Sequence, residues 1–340
     1  MVALYLISSA EAAGKTTIAA GVGKRLLGDG KKAGYLKPVI ADKKPDDDSD
    51  AAFMKQVLAL SEPLESLYPL LSGERSLADR IREAYIEVSQ NKDVVVVEGM
   101  CGQSPDDNLS KASYEIAGAL EAKVIIVAGY SNGSSPAGFI NGYKGFGANL
   151  LGIILNKVPK SQLKRVCAEV TAQFSEAELP ILGVLPEDRV LFTLTIGELA
   201  DSIQGEILNN AEKSVELVEN LMVGAMSVDS GLDYFGRKAG KAAVVRDDRP
   251  DMQMAVLETS TRCLVISGGT APIDYVRYKA EDKGVPVILS KNDTNDIVKR
   301  IEKALSEARF NQEKKLVKLA EIMEQHLDFS AIYRGLGLAK

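Results

Sequence analysis

The sequence predicts an α/β protein: a mostly parallel sheet with helices on both faces, followed by a smaller α/β domain. The first observation is a set of short apolar runs such as "DVVVVEG" and "AKVIIVAGY". Continuous Val and Ile runs are typical of strands that are covered on both faces. The second observation is that these runs alternate with segments of helical spacing, which favours βαβ units. The third is a change of pattern after "GVLPEDRVLF", which indicates a second domain.

Each element of the first domain is predicted from its own pattern. The strand-like runs are, in chain order, "ALYLIS", "KAGYLKPV", "DVVVVEG", "AKVIIVAGY", "NLLGIILNKV" and "LPILGVLPED". The segments with apolar residues at helical spacing are "KTTIAAGVGKRLLGDG", which closes on glycine, "DAAFMKQVLAL" and "LADRIREAYIEVSQ". We therefore predict a first domain over residues 1–200.

The second half repeats the alternation with shorter elements. The predicted strands are "LMVGAM", "KAAVVRDDR", "TRCLVISGG" and "VPVILS". The predicted helices are "DSGLDYFGRK", "PDMQMAVLETS", "APIDYVRYKAEDKG" and "DTNDIVKRIEKALSEA". We predict a second domain over residues 201–310, and a C-terminal helix and tail over residues 311–340.

Composition excludes several classes of protein. The formal net charge of −6 argues against a nucleic-acid binder, which would need a basic surface. No apolar run approaches the roughly 18 residues of a spanning helix, so we expect no membrane partner. Three widely spaced cysteines form no disulfide or metal pattern, and we expect a cytoplasmic protein. The single histidine, His326, excludes a Ser-His-Asp triad and a histidine-rich metal site.

The stretch "SSAEAAGKTT" follows the first predicted strand and precedes the first predicted helix. A strand, a tight loop and a helix N-terminus in this order are what a phosphate cradle requires. We predict that residues 10–17 bind the phosphates of a nucleotide; these residues are Ala10, Glu11, Ala12, Ala13, Gly14, Lys15, Thr16 and Thr17. Lys15 would reach the outer phosphates, and the Thr16 hydroxyl would bind Mg²⁺.

This loop departs from the usual pattern at its start. The expected glycine, five residues before Gly14, is Ser9, and Ser8 before it is not glycine either. Glycine is favoured there because it permits unusual backbone angles and close approach. Two interpretations therefore stand side by side: a functional phosphate loop, or a degenerate loop that only begins a helix.

Two charged residues follow other predicted strands. Glu98 ends "DVVVVEG", and carboxylate and hydroxyl oxygens are the ligands that Mg²⁺ takes. Lys37 ends "GYLK", and ligands of open α/β sheets lie at the carboxyl ends of strands. We predict Glu98 as a metal ligand and Lys37 as a residue facing an anionic substrate or the γ-phosphate, with a strand-end turn and a surface lysine as the alternatives.

Residues 1–190 resemble the dethiobiotin synthetase-like branch of the P-loop NTPase-like proteins. The Lys37-Pro38 pair and the Glu98-Gly99 strand end match that family's motifs, whereas Ser8 stands where the longer loop of that family has a glycine. The resemblance further implies that Asp50, before a helix in "DDDSDAAF", is a metal ligand, and that Asn156 in "GIILNKV" contacts the base. The alternatives are an acid at a helix N-terminus for Asp50 and a strand-end cap for Asn156. It implies ATP and Mg²⁺ as cofactors.

The second half resembles the DRTGG domain. Asp248 and Arg249 in "VVRDDRPDM" match the motif, and "SGG" at 267–269 stands where that family has Thr-Gly-Gly. Asp248 and Arg249 are expected to form a buried or interface ion pair, or else part of a ligand site. A P-loop domain followed by a DRTGG domain resembles the N-terminal, non-catalytic region of long phosphotransacetylases. The acetyl-transferring domain is expected to be absent from these 340 residues.

Three functions are compatible with these observations. The first is a nucleotide-binding regulatory protein whose DRTGG-like domain dimerises or senses a second ligand, and which acts on a separately encoded acyltransferase. The second is an ATP-dependent ligase or synthetase that activates a carboxylate or carbamate, with Lys15 and Lys37 as catalytic residues that neutralise the transferred phosphoryl group. The third is a structural dimer without a nucleotide site. Ala41, where a serine would be expected, and the additional domain argue against dethiobiotin synthesis itself.

Overall fold

The computed structural model describes residues 1–8, 10, 12–40, 48–71, 73–101, 108–130, 144–176, 179–224 and 231–338. The chain divides into two compact units. The first comprises Met1–Asp188 together with Phe310–Lys340, and the second comprises Arg189–Arg309.

The first unit is built on a six-stranded sheet with the strand order β2-β3-β1-β4-β5-β6. Every pairing in it is parallel. Its strands are β1 (Val2–Ser8), β2 (Ala33–Leu36), β3 (Val94–Cys101), β4 (Lys123–Gly129), β5 (Leu150–Val158) and β6 (Ile181–Pro186). The central strands β1 and β4 are almost entirely buried, as expected for a parallel sheet that is covered on both faces.

Helices connect these strands. They are α1 (Lys15–Gly28), α2 (Ser49–Val57), α3 (Leu64–Leu67), α4 (Leu77–Ser89), α5 (Asn108–Ala119) and α6 (Leu163–Glu176), with a 3₁₀ segment at Lys144–Asn149. Side-chain caps fix two of the starts. The Asp48 carboxylate accepts from the Ala51 N–H at the start of α2, and the Ser76 hydroxyl accepts from the Asp79 N–H at the start of α4.

The second unit contains a five-stranded sheet with the order β7-β11-β10-β9-β8. Only the short edge strand β7 runs antiparallel to its neighbour. The strands are β7 (Glu206–Ile207), β8 (Asn220–Val223), β9 (Lys241–Arg246), β10 (Thr261–Ser267) and β11 (Val287–Ser290). The helices are α7 (Ile196–Ser202), α8 (Gly231–Gly236), α9 (Pro250–Leu257), α10 (Asp274–Asp282) and α11 (Thr294–Glu307), with 3₁₀ segments at Arg189–Phe192 and Ala211–Val215. The α/β architecture with a mostly parallel sheet and a second, smaller α/β domain is therefore confirmed.

Two apolar clusters hold the second unit together. One joins Phe235 of α8, Met252 of α9 and Val276 of α10 to the sheet. The other joins Leu199 of α7 and Ile297 of α11 to it. The helices therefore form two layers with the sheet between them.

The last helices of the chain, α12 (Lys314–His326) and α13 (Phe329–Gly335), belong to the first unit. Helix α12 packs on α1, where a side chain at Gly21 would collide with Met323. The second compact unit thus begins directly after Asp188, and the last helices belong to the first unit. The sequence predicts a boundary near residue 200 and a separate tail. The predicted domain ranges themselves stay a prediction.

None of the helices in the described ranges combines the length and the apolar character that crossing a bilayer requires.

Candidate functional site

The candidate site lies at the carboxyl edge of the first sheet, beside the end of β1. The chain leaves β1 toward β2 on one side of the sheet, and it leaves β3 toward β4 on the other side. The strand order therefore reverses between β1 and β3, and open α/β sheets bind ligands at such a point. The residues that follow β1 and the residue Glu98 of β3 both lie here.

Two described residues of the segment between β1 and α1 have positive φ angles. Ala12 has φ of 53° and Gly14 has φ of 98°. Gly14 caps α1 without a side-chain hydrogen bond, and the first turn of the helix carries no acidic residue. The N-terminal end of α1, with its partial positive charge, is therefore suited to an anion. Ala13 and Thr17 are buried beside it, and the predicted contact Glu11 lies outside the described residues.

Lys15 reaches back to the end of the strand. Its Nζ donates a 2.8 Å hydrogen bond to Ser8 Oγ. Ser8 Oγ in turn donates to the carbonyl oxygen of Ala10 at 2.8 Å. The ammonium group thus lies within the loop where the outer phosphates of a nucleotide are predicted to bind.

Thr16 and Glu98 are in direct contact. The Thr16 hydroxyl donates to Glu98 Oε1 at 2.7 Å, and the Tyr35 hydroxyl donates to Glu98 Oε2 at 2.7 Å. Burial raises the pKa of Glu98, although the nearby Lys37 ammonium and the two hydroxyl donors favour the charged carboxylate. Burial and the adjacent carboxylate raise the pKa of Tyr35 well above its ordinary value, so this hydroxyl remains a donor.

Lys37 and Asp50 meet at the same edge of the sheet. Lys37 Nζ lies 2.8 Å from a carboxylate oxygen of Asp48 and 2.8 Å from one of Asp50. Burial alone would lower the pKa of Lys37, but the hydrogen bonds to the two carboxylates outweigh it and raise the pKa. Lys37 therefore stays charged and holds the first turn of α2 at the site.

Asn156 fastens the loop to the end of β5. Its Nδ2 donates to the Ala13 carbonyl at 2.9 Å, and its Oδ1 accepts from the Lys157 N–H at 2.9 Å. Lys157 has a φ of 61°, a left-handed backbone conformation that residues other than glycine seldom adopt. Such backbone strain is common at functional sites. The contact of Asn156 with a base stays a prediction and would use the remaining hydrogen and lone pair of the amide.

The donor set suits a magnesium ion. Thr16 offers a hydroxyl oxygen, while Glu98 and Asp50 offer carboxylate oxygens, which are hard ligands. The Asp50 carboxylate acts electrostatically on Glu98, so the two acids share one environment. Within the described ranges, no three His, Cys, Asp or Glu side chains are grouped to hold a metal by themselves. A magnesium ion here would therefore need oxygens from water and phosphate as well.

The sequence patterns missed three residues of this site: Ser8, Tyr35 and Asp48. In the sequence, Ser8 marks only a missing glycine, and Tyr35 is indistinguishable by pattern from any apolar residue of a buried strand. Asp48 was one of three consecutive acids in "DDDSD". A polar residue at the end of a predicted strand was the available signal for Ser8, whereas no pattern identified the contact of Tyr35 with Glu98.

The DRTGG-like motif of the second unit lies at the carboxyl edge of its own sheet. Asp248 pairs with Arg246, and Arg249 pairs with Asp251, each partner two residues away along the chain. The Asp248 side chain is 53% exposed, so Asp248 is not part of a buried ion pair, and the interface and ligand-site alternatives for Asp248 and Arg249 stay predictions. Surface pairs of this kind contribute little because water screens them.

Comparison with known families assigns both units. Residues 2–193 match the AAA domain family, and residues 198–304 match the DRTGG domain family. The resemblance to a P-loop domain joined to a DRTGG domain is thereby confirmed.

Curated relatives align with most of this chain. The phosphate acetyltransferase of Deinococcus radiodurans is 27% identical over 308 residues, covering 83% of this chain and 43% of that protein. The phosphate acetyltransferase of Escherichia coli K12 is 23% identical over 336 residues, covering 86% of this chain and 46% of that protein. The chain thus spans less than half the length of these relatives, and it matches their N-terminal region.

Solved structures are similar only at low identity. The MinC:MinD cell division protein complex of Aquifex aeolicus has 18% identity and a TM-score of 0.37, covering 56% of this chain and 84% of that chain. The CBS and DRTGG domains of the Clostridium perfringens pyrophosphatase have 15% identity and a TM-score of 0.32, covering 49% of this chain and 81% of that chain. On the match over residues 2–193, the chain belongs to the AAA domain family, and it carries a DRTGG domain after that region.

Proposed function

We propose that this chain binds Mg²⁺-ATP at the loop of residues 8–17 and serves as a nucleotide-binding regulatory protein. One observation carries the proposal. Side chains from separate segments, Lys15 and Thr16 of α1, Lys37 after β2 and Glu98 of β3, converge at the point where the strand order reverses. Parallel sheets bind ligands at this place.

Each residue has a distinct part in this proposal. The backbone of residues 12–14 and the start of α1 would hold the phosphates, with Lys15 as the cation at the outer ones. Thr16, Glu98 and Asp50 would hold a magnesium ion, which supplies positive charge against the phosphate oxygens when it is bound. Lys37 stays protonated between two carboxylates and would keep Asp50 in place. Asn156 would keep the loop in register and contact the base.

The regulatory role is supported by the domain composition. Residues 2–193 match the AAA domain and residues 198–304 match the DRTGG domain, and the similar phosphate acetyltransferase of Deinococcus radiodurans aligns with this chain over 43% of its own length. We propose that nucleotide binding is transmitted to a separate acyltransferase and that the protein forms a homodimer through the DRTGG domain. Homodimers with two-fold symmetry are the commonest soluble oligomers.

The test is thermal unfolding with and without Mg²⁺-ATP, on the wild type and on Lys15→Ala. A ligand at about 100 times its Kd stabilises the state that it binds by roughly 2.7 kcal/mol, which is a shift of several degrees for a domain of this size. We expect the wild type to shift and the variant not to shift at the same concentration. Arg246→Ala, in the second unit, is the matched control and is expected to shift like the wild type. The absence of any shift in the wild type would refute nucleotide binding.

A second function is supported by one further observation. Lys37 places a second cation at the same edge as Lys15, which a ligase that transfers the γ-phosphoryl group could use. A substrate carboxylate would attack the γ-phosphorus and release ADP, and an amine would then displace phosphate from the acyl phosphate to form an amide. Phosphate release that depends on both an added carboxylate and an amine would favour this alternative. Binding of ATP without such release would leave the regulatory function.

A further inference from the structure

Ser8 is the last residue of β1 and stands where the resembling family carries glycine. It is 1% exposed, and its backbone pairs with Cys101 of β3 and Val127 of β4. The sheet therefore fixes this position on both sides. The Ser8 side chain points into the loop that follows the strand, because its hydroxyl contacts Lys15 and Ala10.

The direction of the two hydrogen bonds follows from elementary chemistry. A hydroxyl has one hydrogen and two lone pairs, whereas an ammonium group can only donate. The Ala10 carbonyl can only accept, so the hydroxyl hydrogen of Ser8 is directed to it. A lone pair of Ser8 Oγ consequently faces Lys15 Nζ, and the contact at 2.8 Å is a charge-assisted hydrogen bond.

We propose that Ser8 is a positioning residue that holds the Lys15 ammonium inside the phosphate loop before a nucleotide arrives. The inference rests on the proposed nucleotide site and deepens it. Lysine has a long side chain with many rotamers, and ordering them is part of the cost of binding. A hydroxyl anchored to the sheet orders this side chain in advance.

The same contact explains how this loop functions without the expected glycine. Glycine at this place offers close approach of the backbone to phosphate, but it cannot hold the lysine. The serine then provides an oxygen acceptor in place of the backbone freedom of glycine. The departure from the family pattern does not by itself indicate a degenerate loop.

The experiment measures the Kd of Mg²⁺-ATP by titration for the wild type and for variants of Ser8. We expect Ser8→Ala to raise the Kd about tenfold, as for the loss of one hydrogen bond to a charged group. Ser8→Thr keeps the hydroxyl and is expected to stay within a few fold of the wild type. Ser8→Cys keeps the size but has a weak acceptor, so it is expected to behave like Ser8→Ala. Circular dichroism of each variant checks folding before titration.

A double-mutant cycle with Lys15→Ala separates positioning from general support of the loop. If Ser8 acts through Lys15, Ser8→Ala has no further effect in the Lys15→Ala background, measured at millimolar ATP. An equal loss in both backgrounds would overturn the inference, because Ser8 would then support only the backbone. Unchanged or tighter binding by Ser8→Ala would overturn it as well, while leaving the proposed function intact. A wild type that binds no ATP would refute the proposed function itself.

Discussion

The two sheets of this protein end in very different ways at their carboxyl edges. At the first sheet, charged side chains from distant segments meet: Thr16 bonds Glu98, 82 residues away, and Lys37 lies between two carboxylates. At the second sheet, the charged residues pair with near neighbours, as Arg246 does with Asp248. Both edges follow parallel strands and both contain glycines with positive φ.

The two arrangements differ in the free energy that is needed to keep their charged groups in the folded protein. A buried carboxylate such as Glu98 is penalised by the loss of water, which is why burial raises its pKa. Carboxyl groups with such perturbed pKa values cluster at functional sites. Exposed pairs between residues two apart require no burial and form in many surface loops. The second edge is organised instead by the Asp247 carboxylate, which accepts from the Thr270 N–H at 3.0 Å and thereby closes the loop.

The largest expected effects come from a matched pair of glycine substitutions. Gly14→Ala forces alanine to φ of 98° and drives its Cβ into the Asn156 side chain. Gly268→Ala forces alanine to φ of 108° and places its Cβ 2.6 Å from the Asp247 carboxylate. We expect each to lower the free energy of unfolding of its own unit by about 2–3 kcal/mol, from backbone strain and steric overlap.

The two glycine variants differ in what else they do. Gly14→Ala is expected to abolish the thermal shift with Mg²⁺-ATP, because the loop is displaced, whereas Gly268→Ala is expected to preserve it. Calorimetric scans with and without the nucleotide measure both effects. Loss of nucleotide binding in Gly268→Ala would show that the second edge also belongs to the ligand site, and the contrast between the edges would fail.

An intermediate effect is expected at Lys37. Lys37→Met leaves Asp48 and Asp50, both largely buried, without their shared cation. We expect a loss of about 1–2 kcal/mol in the free energy of unfolding, because unpaired carboxylates in such a place are unfavourable. Arg246→Met removes the cation of an exposed pair at the second edge and is expected to have no measurable effect. Denaturant titration of both variants tests this order, and an equal loss in the two would contradict it.

The smallest effect concerns a buried lysine far from either edge. Lys241 begins β9, is fully buried, and donates to the Thr259 hydroxyl and the Ser260 carbonyl. Burial lowers its pKa to about 8. Between that pH and the ordinary pKa of lysine, the unfolded chain binds more protons than the folded one, so stability rises with pH.

We therefore expect the ionisation of Lys241 to add about 1 kcal/mol to the stability of the second unit from pH 8 to pH 9. Cys263 opposes this gain over the same window, because burial raises its pKa to about 12 in the folded protein, while its thiol ionises near the ordinary value in the unfolded chain. Lys241→Met is the control and is expected to lose the gain. Unfolding curves at several pH values measure it, and a gain that persists in the variant would assign it to another group.

Much of the fold was predictable because strands of a parallel sheet carry a local signal. The apolar runs of β1, β3 and β4 are continuous, and each is bounded by glycine or polar residues. The α/β class and the two-domain arrangement followed from them. The partition of the chain did not, because the packing of α12 on α1 depends on contacts between residues about 300 positions apart, as between Arg25 and Glu324.

The candidate site was predictable to the extent that its residues end strands or begin helices. Lys15, Lys37 and Glu98 do so, and their positions at one edge follow from the topology of a parallel sheet. The role of Tyr35 was not predictable, because its ring is buried in β2 like any apolar residue and only its hydroxyl reaches Glu98. The predicted roles in nucleotide and metal binding stay predictions.

The position of α12 has a consequence for the order in which the protein is made. Helix α1 begins after the loop that follows β1. Near its other end, Arg25 contacts Glu324 and Asp29 contacts Tyr333. Those partners leave the ribosome 299 and 304 residues later. The second unit is synthesised completely in the interval and is free to fold first. During translation the second unit is therefore complete before the last helices of the first unit, and α1 lacks these two partners until residues 324 and 333 have been made.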